Sequence, residues 1–134
     1  MADSQAPHDP ELVERTGAVF DMARTGDTAR LAAYVDAGVP VDLSNDKGDS
    51  LLMLAAYHGH VSAVRMLLEH GADPNVLNGR GQSPLAGAVF KAETEVVRTL
   101  LDGGADAEAG TPSARATAQM FGQTRFLDWF RPSL

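Results

Sequence analysis

The strongest constraint on this chain is that it repeats itself. The stretch Asn45–Asn75, NDKGDSLLMLAAYHGHVSAVRMLLEHGADPN, is followed by a second stretch of nearly the same pattern. Gly48 returns as Gly81, Ser50 as Ser83, Leu52 as Leu85 and Gly71 as Gly104, each pair 33 residues apart. Self-similarity at a fixed period of this length means that each unit buries its apolar face only against a neighbour. The pattern within a unit is a loop, a short helix, a tight turn at glycine, a second helix and a glycine stop. Ser50 is placed to cap a helix over Leu51–His58, and Gly59 permits the reversal. Val61, Val64, Leu67 and Leu68 then lay a broad apolar stripe along a helix over Val61–His70.

The same pattern extends in both directions. Asp9 is placed as an N-cap with Pro10 at the first helical position, and Leu12, Thr16, Val19, Phe20 and Ala23 share one helical face. A turn over Arg24-Thr25-Gly26-Asp27 leads to a helix over Thr28–Ala37 with Leu31, Ala32 and Val35 inward, stopped by Gly38. Counting back 33 from Gly59 and Gly71 lands on Gly26 and Gly38, which makes this a degenerate first unit. A final unit over Gly110–Phe130 aligns on Gly122, 63 residues after Gly59, so its connecting loop has lost three residues. There Arg115 stands for Leu52, Gln119 for Ala56 and Arg131 for Leu68, while Phe126, Leu127 and Phe130 stay apolar. A polar outer face on a last repeat is what a cap requires. Trp129 reads as a shield over the open end of the core.

The unit resembles an ankyrin repeat, closely so at Ser83-Pro84-Leu85, which follows the family's Thr-Pro-Leu-His motif. The resemblance covers about Glu11 to Arg131 and implies an all-α ankyrin-repeat solenoid. It would have four helix-turn-helix units joined by β-turn or hairpin loops, with the first and last units as caps. The expected repeats are 10–43, 44–76, 77–109 and 110–131, after a disordered tail over 1–9. Two departures stand out. Met53 and Ala86 occupy the family's histidine position, so the loop hydrogen bonds that histidine supplies must be absent or come from elsewhere. Ala92 occupies the position of Gly59, where a positive φ would strain an alanine by about 1 kcal/mol.

Chemistry-bearing motifs are absent: no GxSxG, GxxxxGKS, HExxH or CxxC occurs. The glycine pairs around Gly79 and Gly103 read as turn residues. His58 and His60 lie across a turn from one another and His70 sits at the far end of the next helix, a spacing unsuited to one tetrahedral metal site. His60 matches the family's structural Gly-His turn. Asp73 and Asp106 recur at one register, which argues for a loop-bracing role. With 18 Asp and Glu against 11 Lys and Arg, a net charge of −7 disfavours nucleic-acid backbones. Zero cysteines fit a reducing compartment, the N-terminus lacks signal-peptide regions, and no apolar run approaches a membrane span. The expectation is a cytoplasmic, non-enzymatic protein without cofactor or metal, monomeric when free, bound to neither nucleic acid nor membrane.

In ankyrin proteins the loop tips and inner helices form a concave binding surface whose residues vary between repeats. Carried over by register, that surface comprises Asp46, Lys47, Asp49, Tyr57 and His58 in the second unit, and Gly79, Arg80, Gln82, Phe90 and Lys91 in the third. Arg24 and Thr25 match them in the first unit, Met120 and Phe121 in the last. Tyr57, Phe90 and Met120 thus align across three units, as interface anchors or as residues packed within the stack. The resemblance implies a protein partner. The chain also resembles small bacterial ankyrin proteins, which implies an accessory role beside a partner enzyme, and the alternative is a groove that serves as a ligand or catalytic pocket.

Overall fold

A computed structural model describes the backbone of residues 10–130 and the side chains of residues 17–130. The chain forms eight helices among the described residues: α1 (Pro10–Thr25), α2 (Thr28–Asp36), α3 (Leu51–Tyr57), α4 (Val61–Glu69), α5 (Pro84–Phe90), α6 (Thr94–Asp102), α7 (Ala114–Met120) and α8 (Thr124–Trp129). Each expected helix is present. Three end one residue earlier than the sequence pattern suggests, because Ala37, His58 and His70 are C-caps and not helical residues. Arg24 and Thr25 belong to the last turn of α1 and not to the turn that follows it. The expected cap at Asp9, the tail over 1–9, the side chains of Leu12 and Thr16, and Arg131 and Pro132 lie outside the described residues.

The helices stack in two layers. In the inner layer α1 packs on α3, α3 on α5 and α5 on α7, while outside it α2 packs on α4 and α4 on α6. Within each unit the two helices pack on one another, so every apolar stripe is covered by its own partner and by the next repeat. The core runs along the stack through Val19, Leu31, Leu51, Leu52, Val64, Leu67, Leu85, Val89, Val96, Leu100 and Phe126, all fully buried. Met22, absent from the expected inward face of α1, is also buried.

Local chemistry sets each inner helix. Ser50, Ser83 and Ser113 adopt extended backbone and accept a hydrogen bond from the N–H three residues on, at 3.0, 3.0 and 3.1 Å. Pro84 occupies the first position of α5, where its missing N–H costs nothing. The loops contain no strands among the described residues; their pairing is limited to isolated bridges, Ser44 with Ser50 and Gly110 with Ser113. They are nevertheless tied to one another: Gly79 N–H donates to Lys47 O and Thr111 N–H to Gly81 O, both at 2.9 Å.

The last unit closes the stack. Arg115 stands at the register of Leu52, and its guanidinium donates to Phe130 O at 2.8 Å, pairs with Glu108 and lies 6.0 Å from the centre of the Phe130 ring. Trp129 is half-buried, edge-on to Phe126 at 5.4 Å, with the Arg98 guanidinium 4.6 Å from its ring centre. The polar end expected of a cap is therefore built from an arginine that satisfies a terminal helix carbonyl.

Candidate functional site

The stack brings the C-terminal ends of the inner helices into register, and two columns of side chains result. Arg24, Tyr57, Phe90 and Met120 form the first; Thr25, His58, Lys91 and Phe121 form the second. Their environments differ. Phe90, Met120 and Phe121 are 51%, 65% and 53% exposed, three of the four large apolar side chains among the described residues that stand out into solvent. The fourth, Leu77, lies on the loop before Asn78. Phe90 and Phe121 meet edge to face at 5.5 Å. Beside them a depression of about 210 Å³ opens between α5 and α7, lined by Gln82, Ala86, Phe90, Thr117, Met120 and Phe121.

Tyr57 is built differently. It is half-buried, and a methyl group at Gly87 would lie 3.5 Å from its Cδ1 and 2.8 Å from Met53 Cε. Glycine inside α5 thus admits the side chains of α3 close against its neighbour, which offsets its poor helix propensity. Lys91 Nζ lies over the Tyr57 ring, 4.8 Å from its centre, a cation–π contact. The choice between interface and stacking accordingly divides along the column: Tyr57 is partly a stacking residue, whereas Phe90 and Met120 project outward.

Positive groups gather beside Tyr57. Partial burial, then the neighbouring His60, Lys91 and Arg24, hold the pKa of His58 below its ordinary 6.5. Arg24 is paired with Asp21 at 2.7 Å. Lys47, Arg80 and Lys91 have no carboxylate partner among the described residues. Asp46 and Lys47 are exposed at the loop tip, and with Asn45, Asp49 and Arg80 they line an open depression of about 800 Å³.

Two residues of the expected surface are committed elsewhere. Asn78, 8% exposed, accepts from Arg80 N and Gln82 N at 2.9 and 3.0 Å. Its amide donates to Asp49 Oδ1 at 2.8 Å and Gln82 Oε1 at 3.0 Å, so Asp49 and Gln82 brace the loops. Asn45 repeats the acceptor half of this pattern with Lys47 N and Asp49 N at 3.0 and 2.9 Å. These asparagines hold the loops that Met53 and Ala86, buried and apolar, cannot reach by hydrogen bonding. Asp73 and Asp106 accept from Asn75 N and Glu108 N, each at 2.9 Å, which is the loop-bracing role their shared register suggested.

The histidines occupy separate structural positions. His60 Nε2 donates to Arg24 O at 2.7 Å and its ring covers Gly26, linking the first two units. His70 binds Met66 O and Asp36, at the far end of α4. No three His, Asp or Glu side chains converge as a metal site among the described residues.

The columns of equivalent residues, capped helices and braced loops match one known architecture, and the sequence model for ankyrin repeats in three copies matches residues 19–111. The chain belongs to the ankyrin-repeat family. An ankyrin repeat protein of Pseudomonas aeruginosa is 49% identical over 67 residues, covering 49% of this chain and 39% of that protein. The human ankyrin repeat domain-containing protein 29 is 46% identical over 57 residues, covering 42% of this chain and 19% of its own length. The chain therefore spans well under half of these relatives. The crystal structure of the human ASB11 ankyrin repeat domain superposes with a TM-score of 0.63 at 32% identity, over 66% of this chain and 40% of that one. Ankyrin repeats are in general protein–protein interaction modules and not enzymes. No helix among the described residues is long and apolar enough to cross a membrane.

Sequence reasoning aligned the exposed residues by counting but missed what separates them. Gly87 beneath Tyr57 and Thr117 beside Phe90 complete the surface, and both stand at the register of Leu54, where a glycine and a threonine replace the leucine. Gly87 did carry a signal, as a glycine inside a helix that is otherwise apolar.

Proposed function

We propose that this chain is a non-enzymatic interaction module that holds a partner protein against the concave face formed by its loop tips and inner helices. The observation that carries this reading is the joint exposure of Phe90, Met120 and Phe121 on that face. Large apolar side chains clustered in the open, rimmed by polar and charged groups, mark interaction surfaces. Lys47, Arg80 and Lys91, which have no ion-pair partners among the described residues, supply such a rim. The module is a cytoplasmic monomer when free, and it acts as a scaffold, accessory or inhibitor of its partner. The groove as a ligand or catalytic pocket finds less support, since ligand sites enclose most of their ligand in largely apolar walls. The larger depression here is open and lined by charged loop tips.

Affinity capture with Tyr57→Ala combined with Phe90→Ala tests the reading. The double variant keeps its helical circular dichroism and loses the captured partner. Capture at the wild-type level would place the interface on another face, and global unfolding would assign both residues to the core.

A further inference from the structure

We propose that the depression between α5 and α7 is an anchor pocket for one large apolar side chain of an extended partner segment, and that Lys91 receives a carboxylate adjacent to that anchor. This rests on the reading of the concave face as the interaction surface. The pocket holds about 210 Å³, and a void of about 150 Å³ already admits a benzene ring. Its walls divide by chemistry. Phe90, Met120 and Phe121 offer aromatic edges and a pliable thioether, and Ala86 floors it without bulk, while Gln82 and Thr117 bound the polar side.

Charge chooses the neighbour of the anchor. Lys91 follows Phe90, which walls the pocket, and its ammonium lies toward Tyr57 of α3, so a segment anchored in the pocket and running on toward α3 passes Lys91. Its Nζ rests on the Tyr57 ring with no ion-pair partner among the described residues. The carboxylate of Glu93 lies against Gly59 in the turn, and Asp21 is taken by Arg24. On a chain whose net charge is −7, this is a local opening for an anionic group. The occupant is therefore a linear segment with an aromatic residue or leucine beside aspartate or glutamate.

Selection of a random phage-displayed peptide library on the intact chain tests the proposal, followed by fluorescence anisotropy with a synthetic peptide of the selected sequence. The selected peptides share an aromatic or leucine next to an acidic residue. Binding shifts the ¹³C-methyl signal of Met120 and leaves that of the buried Met66 in place. Phe90→Ala, at an exposed position, weakens binding by about tenfold or more. Lys91→Glu weakens it several-fold, with a penalty that shrinks at about 0.5 M salt, while Lys91→Arg retains binding. Failure to select any peptide, peptides that lack an apolar anchor or are basic, or a peptide indifferent to Phe90→Ala would overturn the pocket. Peptides that perturb Arg24 and His58 but not Met120 would overturn the pocket and leave the concave face standing. Peptides that perturb only the outer helices would overturn both.

Discussion

Ala92 shows how one residue can break a repeat and remain within it. It adopts φ +57°, beside +78°, +78° and +67° for Gly26, Gly59 and Gly122 at the same register. The strain expected from sequence is thus present, because the turn geometry is set by the helices on either side. At the next register, Gln123 Oε1 is the one buried side-chain oxygen without a partner among the described residues. Ala92→Gly relieves the left-handed alanine, at the expense of a more flexible unfolded chain, and stabilises the protein by about 0.5–1 kcal/mol. A denaturation midpoint that rises with unchanged slope checks this. His70 was legible only as a poor metal ligand, since its role depends on Asp36, 34 residues earlier. Its Nδ1 faces Met66 O at 2.8 Å and its Nε2 faces Asp36 Oδ1 at 3.0 Å. Both are acceptors, so the two bonds exist together only on the protonated ring, and first the Met66 carbonyl, then Asp36, raise its pKa above 6.5. That contribution to stability is complete below pH 6.5 and is lost as pH rises through the raised folded value. His58 has the opposite sign: its contribution is present above pH 6.5 and is lost as pH falls through its lowered folded value. Accordingly His70→Gln flattens the alkaline side of the stability profile and His58→Gln the acid side. Ring-proton titration by NMR should find the two pKa values on opposite sides of 6.5.

At the scale of elements, the eight helices were readable because caps and apolar spacing act locally. Ser50 and Ser83 each lie next to the first helical residue they cap, so their hydrogen bonds follow from sequence order alone. The loop braces were not readable, because Asn78 reaches Asp49 across 29 residues and the loop conformation decides which side chains meet. Loss of this nearly buried side chain strands several polar groups. Asn78→Ala should therefore cost about 1–3 kcal/mol, measured by equilibrium unfolding. Asn78→Asp separates the two halves of the brace. It keeps the two accepted N–H bonds but turns a carboxylate toward Asp49 and Gln82 Oε1. It should be more destabilising at pH 7 than at pH 4, where protonation restores a donor. Equal loss at both pH values would mean that the amide donors contribute nothing.

On the scale of the whole molecule, repetition forces the stack and the caps end it. The terminal polar face was legible because Arg115 replaces a leucine at a counted register, whereas its bond to Phe130 O required the folded chain. Arg115→Leu restores the internal pattern at an open end. Sedimentation should then show a folded chain that self-associates with concentration, while the parent stays monomeric. The concave face was legible as a set of registers and not as a surface: counting placed Tyr57 and Phe90 in one column, but only packing shows Tyr57 half-covered and Phe90 projecting. The most direct test of the face places a photoreactive benzophenone amino acid at position 90 or, as a control on the outer helix α4, at position 65. Irradiation in the presence of the captured partner should cross-link it from position 90 and not from position 65. Cross-linking from position 65 alone would contradict the assignment of the concave face.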